Sequence, residues 1–135
     1  MMNLIARFAV ALLLGGMIFF AVVMAPLVFT RLPAQQAGTF IRAVFPVYYL
    51  YLLIGSAIAA MALAPRWEAF GMAAVGLLTV WLRQWLMPRI NRASDAARAG
   101  DTRAQGRFDL SHRLSVVLNF AQILLVVLVL AQFVA

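Results

Sequence analysis

Four stretches of this chain, 4–29, 40–64, 67–87 and 110–135, stay apolar for about 20 residues or more at a time, broken only by isolated polar groups. A helix needs about 20 such residues to cross a hydrocarbon core of ~30 Å. Within lipid no water is present to satisfy a free N–H or C=O, so a crossing segment must pair its backbone internally, as a helix does. The expected fold is therefore all-α: an integral membrane four-helix bundle forming one domain over residues 1–135, with a polar connection at about 88–109. Composition agrees, because 66% of the 135 residues are hydrophobic and 11% charged, against about a half and a quarter in soluble domains. The expected medium and first partner is the lipid bilayer.

The five residues "APRWE" (64–68) leave room only for a tight hairpin between the second and third stretches. The first apolar run is much longer than the roughly 7–15 residues of a signal-peptide core, and no small-x-small site precedes a polar start, so it is expected to stay as a span.

Orientation follows from the basic residues, which are all arginine. Arg31 and Arg42 flank the first connection, while Arg89, Arg92, Arg98, Arg103, Arg107 and Arg113 lie in or beside the third. Only Arg7 and Arg66 belong to the opposite side. Positive charge is retained in the cytoplasm. The arginine-rich connections are thus expected in the cytosol and both termini outside it, in a bacterial inner (plasma) membrane. The bacterial source is a codon inference, since arginine without lysine suggests a GC-rich genome. The net charge of +7 is read as this topology signal, and no nucleic-acid partner is expected.

Pro26, Pro46 and Pro88 fall toward the arginine-rich ends of their stretches. Each removes a backbone donor and crowds the preceding turn, which marks a kink or an exit. "MAPLVFTRLPAQQAG" (24–38) and "LMPRINRASDAARAG" (86–100) run in parallel, with twelve residues from Pro26 to Gly38 and from Pro88 to Gly100. This echo points to two duplicated helical hairpins. Small residues four apart, such as Gly55 and Ala59 or Ser56 and Ala60, let helices approach closely, either within the bundle or in a homo-oligomer.

One segment carries its polarity in a pattern. Asp109 stands where a helix cap would, and His112, Ser115, Asn119 and Gln122 come after it at steps of three, four and three. On a helix these four share a sector of roughly 80°. Helix–helix hydrogen bonding explains Asn119 and Gln122 without any function, and snorkelling explains Arg83. The functional alternative is a polar pocket opening to the cytosol, built from Arg83, Asn91, Asp109, His112, Ser115 and Asn119, with Tyr48 nearby. Asp109 is the nearest acidic candidate for pairing with Arg83, and Asn91 and Asn119 offer it amide oxygens. The chain has no cysteine and one histidine, and its methionines lack ligand spacing, so no metal and no cofactor is expected.

"MAPLVFTRLPAQQAG", "VFPVYY" (44–49), "MPRIN" (87–91) and "FDLSHRLSVVLN" (108–119) resemble the bacterial four-helix proteins called domain of unknown function 4149, a group similar to the eukaryotic transmembrane protein 205 family. The His-Arg-x-Ser-x-x-x-Asn pattern is the most specific piece of the resemblance. It implies a small multi-pass membrane protein of unestablished activity, and it defines no catalytic residues to carry over. The export role associated with the eukaryotic relatives leans toward transport. "MPRIN" is also similar to the anthrone-oxygenase-like group, over a shorter stretch.

Transport or binding of a small solute through a polar intrabundle pocket is the leading expectation, and four thin helices would need an oligomer to enclose a wide path. An intramembrane redox or oxygenase-like enzyme, with His112 as proton acceptor, is the second. An accessory subunit of a larger membrane complex is the third. The residues favour a protein that is not an enzyme.

Overall fold

The computed structural model describes residues 1–135 as four long helices: α1 (Met2–Arg31), α2 (Ala34–Leu63), α3 (Trp67–Arg98) and α4 (Thr102–Ala131). Each covers all or most of one apolar stretch, with Ala64 and residues 132–135 falling outside the helices. With 30, 30, 32 and 30 residues, they are about 45–48 Å long at 1.5 Å per residue. That exceeds the ~30 Å hydrocarbon core, so the helix ends reach headgroup depth. The connections are short, and the helices run up, down, up and down. Both termini and the turn at 64–66 lie at one end, and the two other connections and most arginines at the other. The chain is a multi-pass membrane protein. Its outward residues suit acyl chains, among them Phe8, Leu12, Phe70, Leu77 and Leu124.

The helices outrun the apolar stretches at the arginine-rich end. The polar connection expected over 88–109 is mostly helical, and only 99–101 lie between α3 and α4. Alanine and arginine dominate this segment and are good helix formers, so loss of hydropathy there does not mean loss of helix. Pro88 does not end α3. A π-helical turn, Leu82–Leu86, precedes it, and such a widened turn absorbs the clash between a proline ring and the carbonyl one turn back. The same order occurs in α1, where a π-helical segment, Phe19–Met24, ends two residues before Pro26. Pro46 sits within uninterrupted α-helix.

What ends α3 is glycine. Gly100 has φ of 100°, a left-handed conformation that costs a side chain dearly and glycine little. Its N–H donates to the Ala97 carbonyl and the Asp101 N–H to the Ala96 carbonyl, the paired bonds of a Schellman stop. Asp101 then caps α4, accepting from the N–H groups of Arg103 at 3.0 Å and Ala104 at 3.2 Å. This corrects the expectation that Asp109 is the cap. The helix begins earlier, the Asp109 backbone lies inside it, and its carboxylate accepts from the Gln105 amide at 3.0 Å.

The half of the bundle nearer the termini is solidly filled. Val10, Leu13 and Met17 of α1 meet Leu52 and Ala59 of α2, Met72, Val75 and Leu82 of α3, and Val126 and Val129 of α4, all buried in one cluster. Small residues set the spacing: a Cβ on Gly76 would stand 2.9 Å from Ser56 Oγ, so α2 and α3 touch where only a glycine fits.

Candidate functional site

The filling stops at an aromatic layer. Phe20 stacks on Tyr48 with ring centroids 4.2 Å apart, and Phe45 meets Phe20 edge-on at 5.4 Å. Phe45, Tyr48 and Tyr49 recur at steps of three and one along α2 and so face inward together. Beyond this floor, toward the arginine-rich end, a cavity of about 550 Å³ touches all four helices.

Its walls follow helical periodicity. On α4 they include Gln105, Phe108, His112, Ser115 and Asn119, and on α3 Met87, Ile90, Asn91, Ser94 and Arg98. Steps of three and four place each set on one face. The Tyr48 hydroxyl donates to Asn119 Oδ1 at 3.0 Å and ties floor to wall. The Ser115 hydroxyl donates to the His112 carbonyl of its own helix at 2.7 Å. The His112 ring stacks on Phe108, with centroids 5.7 Å apart and planes 7° from parallel. Gln122 is one turn deeper and belongs to the filled layer. Its amide donates to Thr79 Oγ1 at 2.9 Å and to the Val75 carbonyl at 3.1 Å, while its own oxygen is buried without a partner.

Two guanidinium groups stand at the mouth. Arg42 donates to Asp95 Oδ1 at 2.9 Å and to the Asn91 carbonyl at 3.3 Å, which clips α2 to α3. Both side chains of this ion pair are over a third exposed, so it contributes at most about 1 kcal/mol. Arg98 lies across Gly38, where a Cβ would come within 2.6 Å of its Nη2. It forms no ion pair; the three in the molecule are Arg42–Asp95, Arg66–Glu68 and Arg107–Asp101. No aspartate or glutamate lines the cavity. The chamber is thus aromatic at its base, hydrogen-bonding along one wall and positive at its mouth.

Among the residues singled out from the sequence, Asn91, His112, Ser115, Asn119 and Tyr48 line this space. Arg83 and Asp109 do not. Plain α-helical spacing puts Arg83 one turn from Met87 on the same face. The π turn over Leu82–Leu86 adds a residue to that turn and rotates the part of α3 before it relative to the part after it. Asp109 bonds back to the Gln105 amide on its own helix and does not pair with Arg83. Sequence reasoning misses Arg42, Arg98, Gln105 and, Tyr48 apart, the aromatic floor, although the steps 105, 108, 112, 115 and 119 extend the α4 pattern upstream of Asp109.

A second polar feature lies at the opposite end. Glu68, 2% exposed, accepts from Arg66 at 2.7 Å through Oε1, while its Oε2 is buried without a partner. Arg66 and Arg7 both lie over the Phe133 ring, at 5.9 and 5.6 Å.

A family model described as Domain of unknown function (DUF4149) matches residues 8–99. The match takes in α1, α2 and α3 and stops before α4, so the His-Arg-x-Ser-x-x-x-Asn pattern lies outside it. No curated protein matches, and no solved structure matches.

Proposed function

We propose, from the premise that the chain belongs to the DUF4149 family, that it is a solute-binding membrane protein of the transport class. Its cavity holds a small molecule on the cytosolic side of a bacterial inner membrane. The observation that carries this reading is a chamber open at one end of the bundle and closed at the other by a filled apolar layer. Its ~550 Å³ falls in the range of about 300–1,000 Å³ typical of small-molecule sites, and its mainly apolar lining with a few convergent polar groups is typical too. The bundle is therefore a receptacle, not a pore. Carriage across the membrane requires the layer of Met17, Leu52, Met72 and Leu82 to part while the mouth closes, as in alternating access.

The test uses protein reconstituted in nanodiscs and a dodecanol that carries a mid-chain diazirine. After illumination, adducts located by peptide mass spectrometry are expected on Phe45, Tyr48 or Tyr49 and are expected to fall when unmodified dodecanol competes. Adducts confined to lipid-facing positions such as Leu77 and Leu124, with no effect of competitor, would refute the reading.

A further inference from the structure

We infer that the solute is a single-chain amphiphile with an anionic head, admitted sideways from the bilayer between α1 and α4; this rests on the cavity being a binding site. Charge points to the head. Arg42 and Arg98 both line the cavity, no carboxylate does, and Arg98 has no acidic partner. A guanidinium free to bond a carboxylate, sulfate or phosphate ester supplies a charge-assisted contact that a neutral or cationic head cannot use. Arg98 is the last helical residue of α3, at headgroup depth, where such a head already resides in a membrane.

The apolar lining points to the chain. Along α4 the wall runs from Gln105 to Asn119, about 21 Å by helix rise, and it ends on the Phe20–Tyr48 stack. A chain anchored at Arg98 would extend toward that floor. A compact hydrophilic anion would leave this aromatic surface without contacts.

Exposure points to the route. Phe29 of α1 and Val116 and Phe120 of α4 line the cavity yet are 57%, 40% and 62% exposed. Side chains that face both the chamber and the lipid border an opening. The Arg31 end of α1 leans on α2, while α1 and α4 meet through the Met2–Ile18 part of α1. The gap is thus at the same depth as the cavity, and an amphiphile can slide in without leaving the membrane.

Three diazirine probes of equal chain length decide the matter in zwitterionic nanodiscs: dodecanoate, dodecanol and dodecyltrimethylammonium. Dodecanoate is expected to half-saturate cavity labelling at about a tenfold lower level than dodecanol, a ratio set by one charge-assisted bond, and the ammonium at a higher level than either. Arg98→Gln should erase the advantage of the acid and leave the alcohol unchanged, while Arg98→Lys should keep most of it. A terminal diazirine should mark Phe45 or Tyr48, and one beside the head the segment around Arg98. Equal labelling by acid and alcohol, an unchanged ratio in Arg98→Gln, or the reverse chain direction would overturn this inference and leave the cavity reading intact. Absence of cavity labelling by all three probes would overturn both.

Discussion

Replacing Ser115 by tryptophan is expected to weaken cavity labelling by about 5–150-fold while the protein remains folded. Ser115 lines the chamber one helical turn from the Tyr48–Asn119 bond, on its mouth side. Its hydroxyl bonds only to its own helix, so its removal strands no other group. The ~550 Å³ chamber can accept an indole in place of the solute. To bind, the solute must then force that ring off its rotamer or out of the chamber, and overpacking strain of about 1–3 kcal/mol converts to the range above. Labelling by the dodecanol probe and the thermal transition are the paired readouts. Full labelling in folded Ser115→Trp would place the solute elsewhere.

Leu52→Ala is expected to act in the opposite sense, on stability first. Leu52 is fully buried in the layer that closes the cavity. In soluble proteins such truncations cost about 2–5 kcal/mol, of which part is transfer of the side chain from water. That part vanishes here, because separated helices expose Leu52 to lipid rather than water and only the lost van der Waals contacts remain. The expected loss is therefore at the lower end, about 2 kcal/mol. Leu77, 72% exposed to the same lipid, is the control: Leu77→Ala should change stability by no more than about 0.5 kcal/mol. Unfolding in mixed micelles measures both. Equal effects at the two positions would mean that the filled layer is not what holds the helices together.

The architecture was readable because the bilayer permits few solutions. Spans longer than the hydrocarbon core and short connections left little besides four antiparallel helices, and hydropathy located each one. Hydropathy misplaced the ends, since Arg89 to Arg98 and Thr102 to Asp109 are polar without ceasing to form helix. The stop at Gly100 and the cap at Asp101 are local signals that a hydropathy reading passes over. In the candidate site, strict periodicity worked along α4, where the helix is regular, and placed His112, Ser115 and Asn119 on one face. It failed for Arg83 because nothing in the residues 82–86 announces a π turn, and one extra residue there redirects the side chain. The neighbours that α1 and α2 bring to the chamber are long-range partners. No spacing within one helix shows that Phe20 will stack on Tyr48, or that Gly38 will leave room for Arg98.

Because the chain has no cysteine, single introduced thiols can report where each face of α4 looks. Ser115→Cys and Val117→Cys lie two residues apart, the first in the cavity wall and the second 63% exposed toward lipid. In membrane vesicles treated with a membrane-impermeant maleimide, Ser115→Cys should react when the reagent is on the side of the arginine-rich connections, and Val117→Cys should stay unmodified from either side. Reaction of Val117→Cys with Ser115→Cys silent would turn the polar wall outward and contradict the account at its centre.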